Sequence, residues 1–587
     1  MARGPWHILK RNARSETAHN LIFFDTETKA RKHADGSESD YLWFGWACAL
    51  QRTSQGKWGK EKWKRFSRVG DLWRSLDGMV GTKRRWFIFC HNTSYDLPVI
   101  DIFGQAAKRG WKVDGAVIEA PPTIITLTRG GVTLTFLDTL NWWRMSLEKA
   151  GKHIGYEKLK MPDPKAPRAE WDTYCRQDVE VIKQLVCTWL DFLKVNDLGG
   201  FATTLAGQAF RTFRHRFMSH DVVIDNNEQS HLISREAYHG GRVECFRVGW
   251  QKGPVYGVDI NSMYPACMLE GFFPIRLHGV YESERKERWE KLLDRYCIVA
   301  RCSIDSPIPA YAVGSKTGLK FPIGRFEATV TTPEIAFALS RGHLRDMKDI
   351  VVYDKAPIFT EYVRFMWGKR QEAQAAKHSV NDWFFKHLGT NLYGKFGQTG
   401  MVYESSDWIS DKTCKKFDII DYHTRKVIKC RQLGGLLQTM SKEGEGRESF
   451  PAIAAHVTAY GRMMLWGLID KAGLENLLYT DTDSLYLNAK GFQALQSEID
   501  PKALGKLKVL GEWPWMVIHS LKDYELPGHR VHKGVSAKAL QIGPNSFQQV
   551  QWSSLKGLVM IGDVTAPRRR KVIKKLARSY RSKRTLT

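Results

Sequence analysis

The stretch LLYTDTDSLYL, residues 477–487, sets Asp481 and Asp483 two positions apart inside an otherwise apolar, strand-like run. Carboxylates are costly to bury unless something positive meets them. A second carboxylate stands in a similar setting: VYGVDINSMYPACM (255–268) puts Asp259 at the end of a strand, with Tyr264 five residues on. Aspartates from two distant, strand-ended segments are what a site for two divalent cations needs. Between them, KHLGTNLYGKFGQ (386–398) reads as helix, with Lys386 and Tyr393 seven apart. Seven residues are about two helical turns, so both share a face, where a lysine can neutralise phosphate and a tyrosine can pack on a base or sugar. Taken alone, D-x-D also serves as the single metal site of nucleotide-sugar transfer, and Asp-Thr-Asp can simply turn the chain.

The bulk properties narrow the choice. With 587 residues the chain exceeds one hydrophobic core, and 43% hydrophobic content with 12% aromatic residues describes a folded protein. No stretch approaches the roughly 18 apolar residues of a membrane span. The opening MARGPWHILKRNARSETAHN has no apolar core of a secretory signal, so a soluble protein of the cytosol is expected. The ten cysteines form no C-x-x-C pair, which argues against a zinc ribbon and for reduced thiols. Net charge is +27, and PRRRKVIKKLARSYRSKR (567–584) holds ten basic residues and no acidic one. Such a tail reads as a solvated charge run, an import signal or a phosphate-backbone contact. Basic residues interleave with aromatics in KWGKEKWKRF (57–66), WWRM (142–145) and YVRFMWGKR (362–370), a mixture that nucleic-acid channels use.

Strands are expected at 21–25, 43–50, 86–90 and 132–137, and a long amphipathic helix at 168–195. DLGGF (197–201) follows as a domain boundary, with Gly-Gly breaking the helix. Beyond it the pattern is mixed: helical at 280–295, 332–342 and 361–395, polar and hairpin-like at 404–448.

The first part carries its own acidic set. FFDTET (23–28) places Asp25 and Glu27 on one face of a strand end, Asp96 lies in FCHNTSYDLPVI (89–100), and Asp178 lies in YCRQDVEV on the long helix. Four carboxylates meeting at one point repel unless divalent cations neutralise them, and hard oxygen donors suit Mg²⁺ or Mn²⁺. Two such ions about 3.5–4 Å apart can activate a water and stabilise the leaving oxygen in phosphodiester cleavage.

In this order, D-x-E, N-x-x-Y-D and Y-x-x-x-D resemble the three motifs of the 3′–5′ proofreading exonucleases of family B DNA polymerases. D-x-x-S-x-Y-P, K-x6-Y-G and Y-x-D-T-D-S resemble motifs A, B and C of the same family. The resemblance implies an α/β, RNase H-like exonuclease domain at 1–200 and an α+β right-hand polymerase domain at 201–587. Within the latter it implies a palm with motif A at 256–268 and motif C at 477–487, an insertion at about 273–361 and fingers at about 362–400. A second insertion at about 404–448 and a thumb at about 525–587 complete it. It implies two Mg²⁺ or Mn²⁺ ions per active site, held by Asp25, Glu27, Asp96 and Asp178 in one and by Asp259 and Asp483, with Asp481 in support, in the other. Tyr174 would orient the attacking water and Lys158 of GYEKLKMP would lie near the scissile phosphate, while His91, Asn92, Tyr95, Thr139 and Leu140 would hold the single-stranded 3′ end. Tyr264 would stack on the incoming sugar and exclude a 2′-hydroxyl; Lys386, Tyr393, Lys369 and Arg370 would contact the nucleotide. Lys522 and Tyr524 match the family's K-x-Y element on the primer terminus, and Tyr238, Gly240 and Gly241 match the Y-x-G-G linker that senses template.

Two insertions at these points are found in the protein-primed branch of phages and linear plasmids, which starts on a terminal protein and displaces strands, and in its primer-independent sister branch. The expected activity is therefore a DNA-directed DNA polymerase with proofreading and strand displacement, acting as a monomer on template-primer DNA and dNTPs, away from membranes. Protein-primed replication and primer-independent synthesis both stand as modes of initiation. Motif B departs from the family, since Thr390 precedes Asn391 and either could fill the usual asparagine's place. A nuclease or DNA-binding protein without synthesis would leave the polymerase carboxylates and Lys386 unexplained, and a glycosyltransferase would leave the exonuclease motifs and the charge unexplained.

Overall fold

The computed structural model describes residues 6–53, 56–79, 84–119, 121–316, 318–580 and 583–584, with the backbone alone at 400–406 and 440–444. Leu21–Phe24 is apolar on both faces and fully buried, the mark of a strand in the middle of a covered sheet. It belongs to β1 (Asn20–Lys32), which pairs antiparallel with β2 (Glu38–Gln51) and parallel with β3 (Arg85–Cys90). After helix α1 (Thr93–Val99), a meander of β4 (Lys112–Ile118), β5 (Thr123–Arg129) and β6 (Val132–Asp138) extends the sheet, β6 lying parallel to β3. Helix α2 (Arg168–Val195), with the bounds its periodicity predicts, covers one face by burying Val179, Ile182, Leu185 and Trp189 against Phe23, Phe89 and Leu137. The boundary at 200 is not clean, because Trp6–Ile8 pairs with Val223–Asp225.

The second domain opens with β7 (Val243–Cys245) and β8 (Gly249–Ile260). The first insertion builds its own sheet from β9 (Phe273–Ser283), β10 (Tyr296–Ser306), β11 (Gly324–Thr331) and β12 (Leu344–Ala356), in the order β9-β12-β10-β11, with α3 (Thr332–Ser340) packed near it. The helix expected over 280–295 is therefore confined to Trp289–Arg295, since pairing of Tyr281 with Ile350 outweighs the local charge pattern. The helix expected over 361–395 is divided into α4 (Thr360–Ala375), α5 (Ser379–Asn391) and the start of a one-turn helix at Tyr393–Phe396, the first break falling where Lys377 takes φ 53°. The second insertion is not a hairpin but four strands, β13 (Thr399–Trp408), β14 (Lys415–Ile420), β15 (Val427–Leu433) and β16 (Leu436–Glu445), ordered β13-β16-β15-β14.

Helix α6 (Pro451–Ala472) begins on a proline, ends at Gly473 with φ 81°, and is buried nearly all round because Ala452, Ala454, Ala455, Ala459 and Gly461 admit close neighbours. It leads to β17 (Leu477–Asp481), β18 (Ser484–Leu487), β19 (Leu507–Ser520), β20 (Asp523–Leu526) and β21 (His529–His532). Together with the first two strands they form a seven-stranded sheet, β7-β17-β18-β8-β19-β20-β21. α5 is fixed against the first domain, with Trp383 stacked on Trp143 at 4.6 Å and Phe384 against Trp189 and Phe192.

The stretch expected as thumb, 525–587, divides in the structure. Its start completes the seven-stranded sheet. After β22 (Leu540–Gly543), β23 (Ser546–Trp552) and helix α7 (Leu555–Ile561), β24 (Arg568–Lys575) pairs with β2 and so joins the first domain's sheet, ten strands in all. Residues 576–580 and 583–584 then return to the second domain, while 581–582 and 585–587 lie outside the described residues. Four of the ten basic residues at 567–584 meet carboxylates of the chain itself: Arg568 with Asp35, Arg569 with Glu38, Arg578 with Asp523 and Glu525, and Arg584 with Glu244.

One buried ion pair braces the second domain. Arg462 of α6 reaches Glu334 of α3 at 2.8 Å, both side chains 1% exposed, and also donates to the carbonyls of His239 and Gly240. Glu334→Ala leaves that guanidinium buried without its carboxylate and is expected to cost about 3–5 kcal/mol of stability in urea unfolding. A loss below about 1 kcal/mol would show that water or another group replaces the glutamate.

Candidate active site

In the first domain the ligand atoms of Asp25, Glu27 and Cys175 lie within 4.8 Å of one another. The Cys175 thiol donates weakly to Asp25, 3.6 Å from Oδ2, and was not foreseen. Asp96, from α1, accepts from Thr26 Oγ1 at 2.6 Å. Asp178, from α2, pairs with Lys158, whose ammonium also sits 4.0 Å from the centre of the Tyr174 ring. All four predicted carboxylates thus converge. Burial pushes Asp25 well above the usual carboxylate range, with Asp96 and Asp178 adding to it. Burial likewise raises Glu27 to about 8, Asp96 to about 7 and Asp178 to about 6. Asp178 Oδ1 is buried and accepts no hydrogen bond among the described residues. Hard oxygen donors, compensated only in part by Lys158 and facing one point, fit divalent cations such as Mg²⁺ or Mn²⁺.

The expected strand-binding residues border this cluster unequally. Asn92 is exposed with φ 66°, and His91, whose pKa burial lowers, bonds Thr139 Oγ1 at 2.8 Å. Tyr95 bonds Thr28 and donates to Asp40 at 2.9 Å, with its ring edge-on to Trp552 of β23. Leu140 is half-buried, whereas Thr139 is fully buried and props His91 instead of facing a ligand. Sequence reasoning missed Asp138, whose carboxylate accepts from Asn92 N, Thr93 N, Thr93 Oγ1 and Leu140 N and so ties two motifs together. The one sequence signal was an aspartate ending the apolar run VTLTFL.

In the second domain β8 and β18 bring Asp259 opposite Ser484, and Ile260 N donates to Asp483 O at 2.8 Å, so the three aspartates surround one tight turn. Thr482 turns that corner with φ 64° and donates its N–H to Arg242 O at 2.7 Å. Gly241 allows the approach, since a Cβ there would lie 2.7 Å from Thr482 Cγ2. Burial, then Asp259, raises Asp483 to about 6. Lysines stand where cations would: Lys508 Nζ is 2.7 Å from Asp259 and Lys522 Nζ 3.2 Å from Asp481. This oxygen-donor set also fits divalent ions.

Opposite the turn, Arg370 donates to Ser262 Oγ at 3.0 Å and Asp382 at 2.9 Å, while burial and the charge of Arg370 lower the Lys386 pKa. Lys369 instead pairs with Glu372 of its own helix at 2.7 Å and stands apart. Tyr264 packs on Tyr393, ring centres 4.8 Å apart, over Gly461 of α6. Tyr393 begins a one-turn helix, Tyr393–Phe396, beyond the end of α5. There Thr390 Oγ1 bonds back to Lys386 O at 3.1 Å and Asn391 Nδ2 to His387 O at 2.8 Å, loosening the helix where the motif departs from its family. Tyr238 lies on Gly397. Tyr524, expected on the primer, is nearly buried with its hydroxyl 3.2 Å from that of Tyr486, so Lys522 alone of that pair reaches the aspartates.

A channel of about 1960 Å³ runs between the domains to Asn391, Tyr393 and Gly394. Arg14, Arg52, Arg84, Arg144, Arg211 and Lys395 line it against one acidic residue, Glu16. Gly241→Ala is expected to press on Thr482 and cost about 1–3 kcal/mol, read as a lower denaturation midpoint. An unshifted midpoint would mean that the aspartate turn does not depend on this approach.

A family profile described as DNA polymerase type B, organellar and viral, matches residues 142–432. The chain is 24% identical over 413 residues to the DNA polymerase of Streptococcus phage Cp-1, covering 65% of this chain and 67% of that protein. It is 22% identical over 325 residues to a probable DNA polymerase of Neurospora intermedia, covering 52% of this chain and 32% of that one. It is 24% identical over 327 residues to the primer-independent DNA polymerase PolB of Escherichia coli, covering 45% and 37%. The chain thus spans from about a third to two thirds of these relatives' own lengths. Its fold is similar to that of phi29 DNA polymerase solved with primer-template DNA and incoming nucleotides, with TM-score 0.67, 14% identity, and 95% of this chain and 100% of that one covered.

Proposed function

We propose that the chain is a type B DNA polymerase of the organellar and viral kind, that it synthesises DNA on a DNA template in its second domain and that it removes nucleotides from an unpaired 3′ end in its first. One observation carries the proposal. Asp259, Asp481 and Asp483 gather on strand ends facing Lys386 and Arg370, while a separate set of four carboxylates gathers in the other domain.

Asp259 and Asp483, with Asp481 in support, would hold divalent ions in the palm, and Asp25, Glu27, Asp96 and Asp178 would hold them in the exonuclease. Bound there, Mg²⁺ or Mn²⁺ would lower the pKa of the attacking hydroxyl or water and offset charge on the phosphate. The chain's own groups position the reactants. Lys386 and Arg370 present positive charge to the incoming triphosphate. Tyr264, backed by Tyr393 and Gly461, walls the sugar pocket and excludes a 2′-hydroxyl, which selects dNTPs. Lys522 faces the primer terminus, and the backbone at Gly240–Gly241, beside Tyr238, meets the template. In the exonuclease, Asn92, Tyr95 and Leu140 hold the unpaired end, and Tyr174 beside Lys158 orients the water.

The basic channel takes the single template strand. The second insertion stands at the edge of the first domain, Arg431 donating to Ala116 O at 2.8 Å, which supports separation of the strands ahead of synthesis. For initiation we take protein priming on a terminal protein as the first reading. Likeness to a primer-independent polymerase favours synthesis without primer as the second.

Asp483→Ala should abolish dNTP incorporation and spare degradation of single-stranded 3′ ends, and Asp25→Ala with Glu27→Ala should do the reverse. Equal loss of both activities in either variant would sink the two-site assignment. Incubation with template, dNTPs and Mg²⁺ but neither primer nor terminal protein is expected to yield no product under protein priming. Full-length product there would assign the chain to primer-independent synthesis.

A further inference from the structure

Lys508 belongs to none of the motifs, yet it stands directly opposite Asp259 in the register of β8 with β19. A register shift between Gly257 and Val258 lies just before the pair, and the two side chains meet at 2.7 Å. The backbone, not a flexible reach, therefore sets Lys508 at this carboxylate. Its positive charge also acts on Lys386 and on Asp483.

We propose that Lys508 is an exchangeable counter-ion: it neutralises Asp259 while the palm holds no divalent ion, and turns to the phosphates of the incoming nucleotide, beside Lys386 and Arg370, once Asp259 takes one up. This rests on the polymerase assignment above. Charge balance supplies the reason. With Lys508 and Lys522 paired, two of the three negative charges at the turn are neutralised and one remains. Once Asp259 and Asp483 hold divalent ions, positive charge is in excess, and the triphosphate is the anion that meets it. The lysine, 38% exposed, has solvent beside it into which to swing.

The test measures free Mn²⁺ by electron paramagnetic resonance in titrations of the full chain carrying Asp25→Ala and Glu27→Ala, so that the palm is the remaining site. Lys508→Met should tighten Mn²⁺ binding about three- to fivefold, the size expected when a half-exposed competing ion pair is removed. Without metal the same variant should melt below its parent, and saturating Mn²⁺ should close the gap. In the enzyme with both sites intact, Lys508→Met should raise KM for dNTP more than it lowers kcat, and Lys508→Arg should restore it. Unchanged or weaker Mn²⁺ binding in Lys508→Met, with the parent binding normally, would overturn this proposal alone. A parent palm that binds no Mn²⁺ would overturn it together with the two-metal assignment.

Discussion

Negative charge cannot be buried uncompensated, and both sites answer to that constraint. In the first domain the answer is incomplete: four carboxylates share one lysine, and burial raises the pKa values of all four. In the second, two of three aspartates each have a lysine and the third has none. The first cluster joins Asp25 and Glu27 of β1 to Asp96 of α1 and Asp178 of α2, and the second sits at the strand ends of the seven-stranded sheet, so the fold positions the charges while the charges gain nothing from it. The free energy for that arrangement comes from cores such as Phe23, Phe89 and Leu137 under α2.

The same rule explains the bracing. Arg462 and Arg242 are buried cations, each paired with a glutamate and each bonded to backbone carbonyls. Arg242 carries the carbonyl that fixes Thr482, and Arg462 fixes the two residues before Gly241. Charges far from solvent thus hold the strand against which the aspartate turn rests. Replacing them with apolar groups would leave that turn without directional support.

Much of this was legible in the sequence, for a physical reason. Asp25, Glu27, Asp259, Asp481 and Asp483 stood out because carboxylates ending apolar runs violate local patterning, and such violations mark sites. The bounds of α2 were legible because its burial repeats with helical period. What was not legible depends on partners distant in the chain. The strand at 273–283 exists because β12 pairs with it, and Lys508 matters only through the register of β19. The same holds for Thr139 and Tyr524, whose residue types suit a ligand but whose neighbours bury them. The basic tail was legible only in part, because a run of charge does not say which acids it will meet.

The pairing of β24 with β2 has a consequence for how the chain is made. Arg568 donates to Ser37 across 531 residues of sequence, so the first domain's sheet is finished only after the strands of the second domain have left the ribosome. Until then the edge of β2 at Glu38 and Ser39 stays open to other strands, a recognised route to misassembly. The charged character of that edge, with Asp35 and Glu38 waiting for Arg568 and Arg569, discourages pairing with any strand that is not strongly basic. The arginine-rich strand that closes the sheet thus also works as the key that makes this late joining selective.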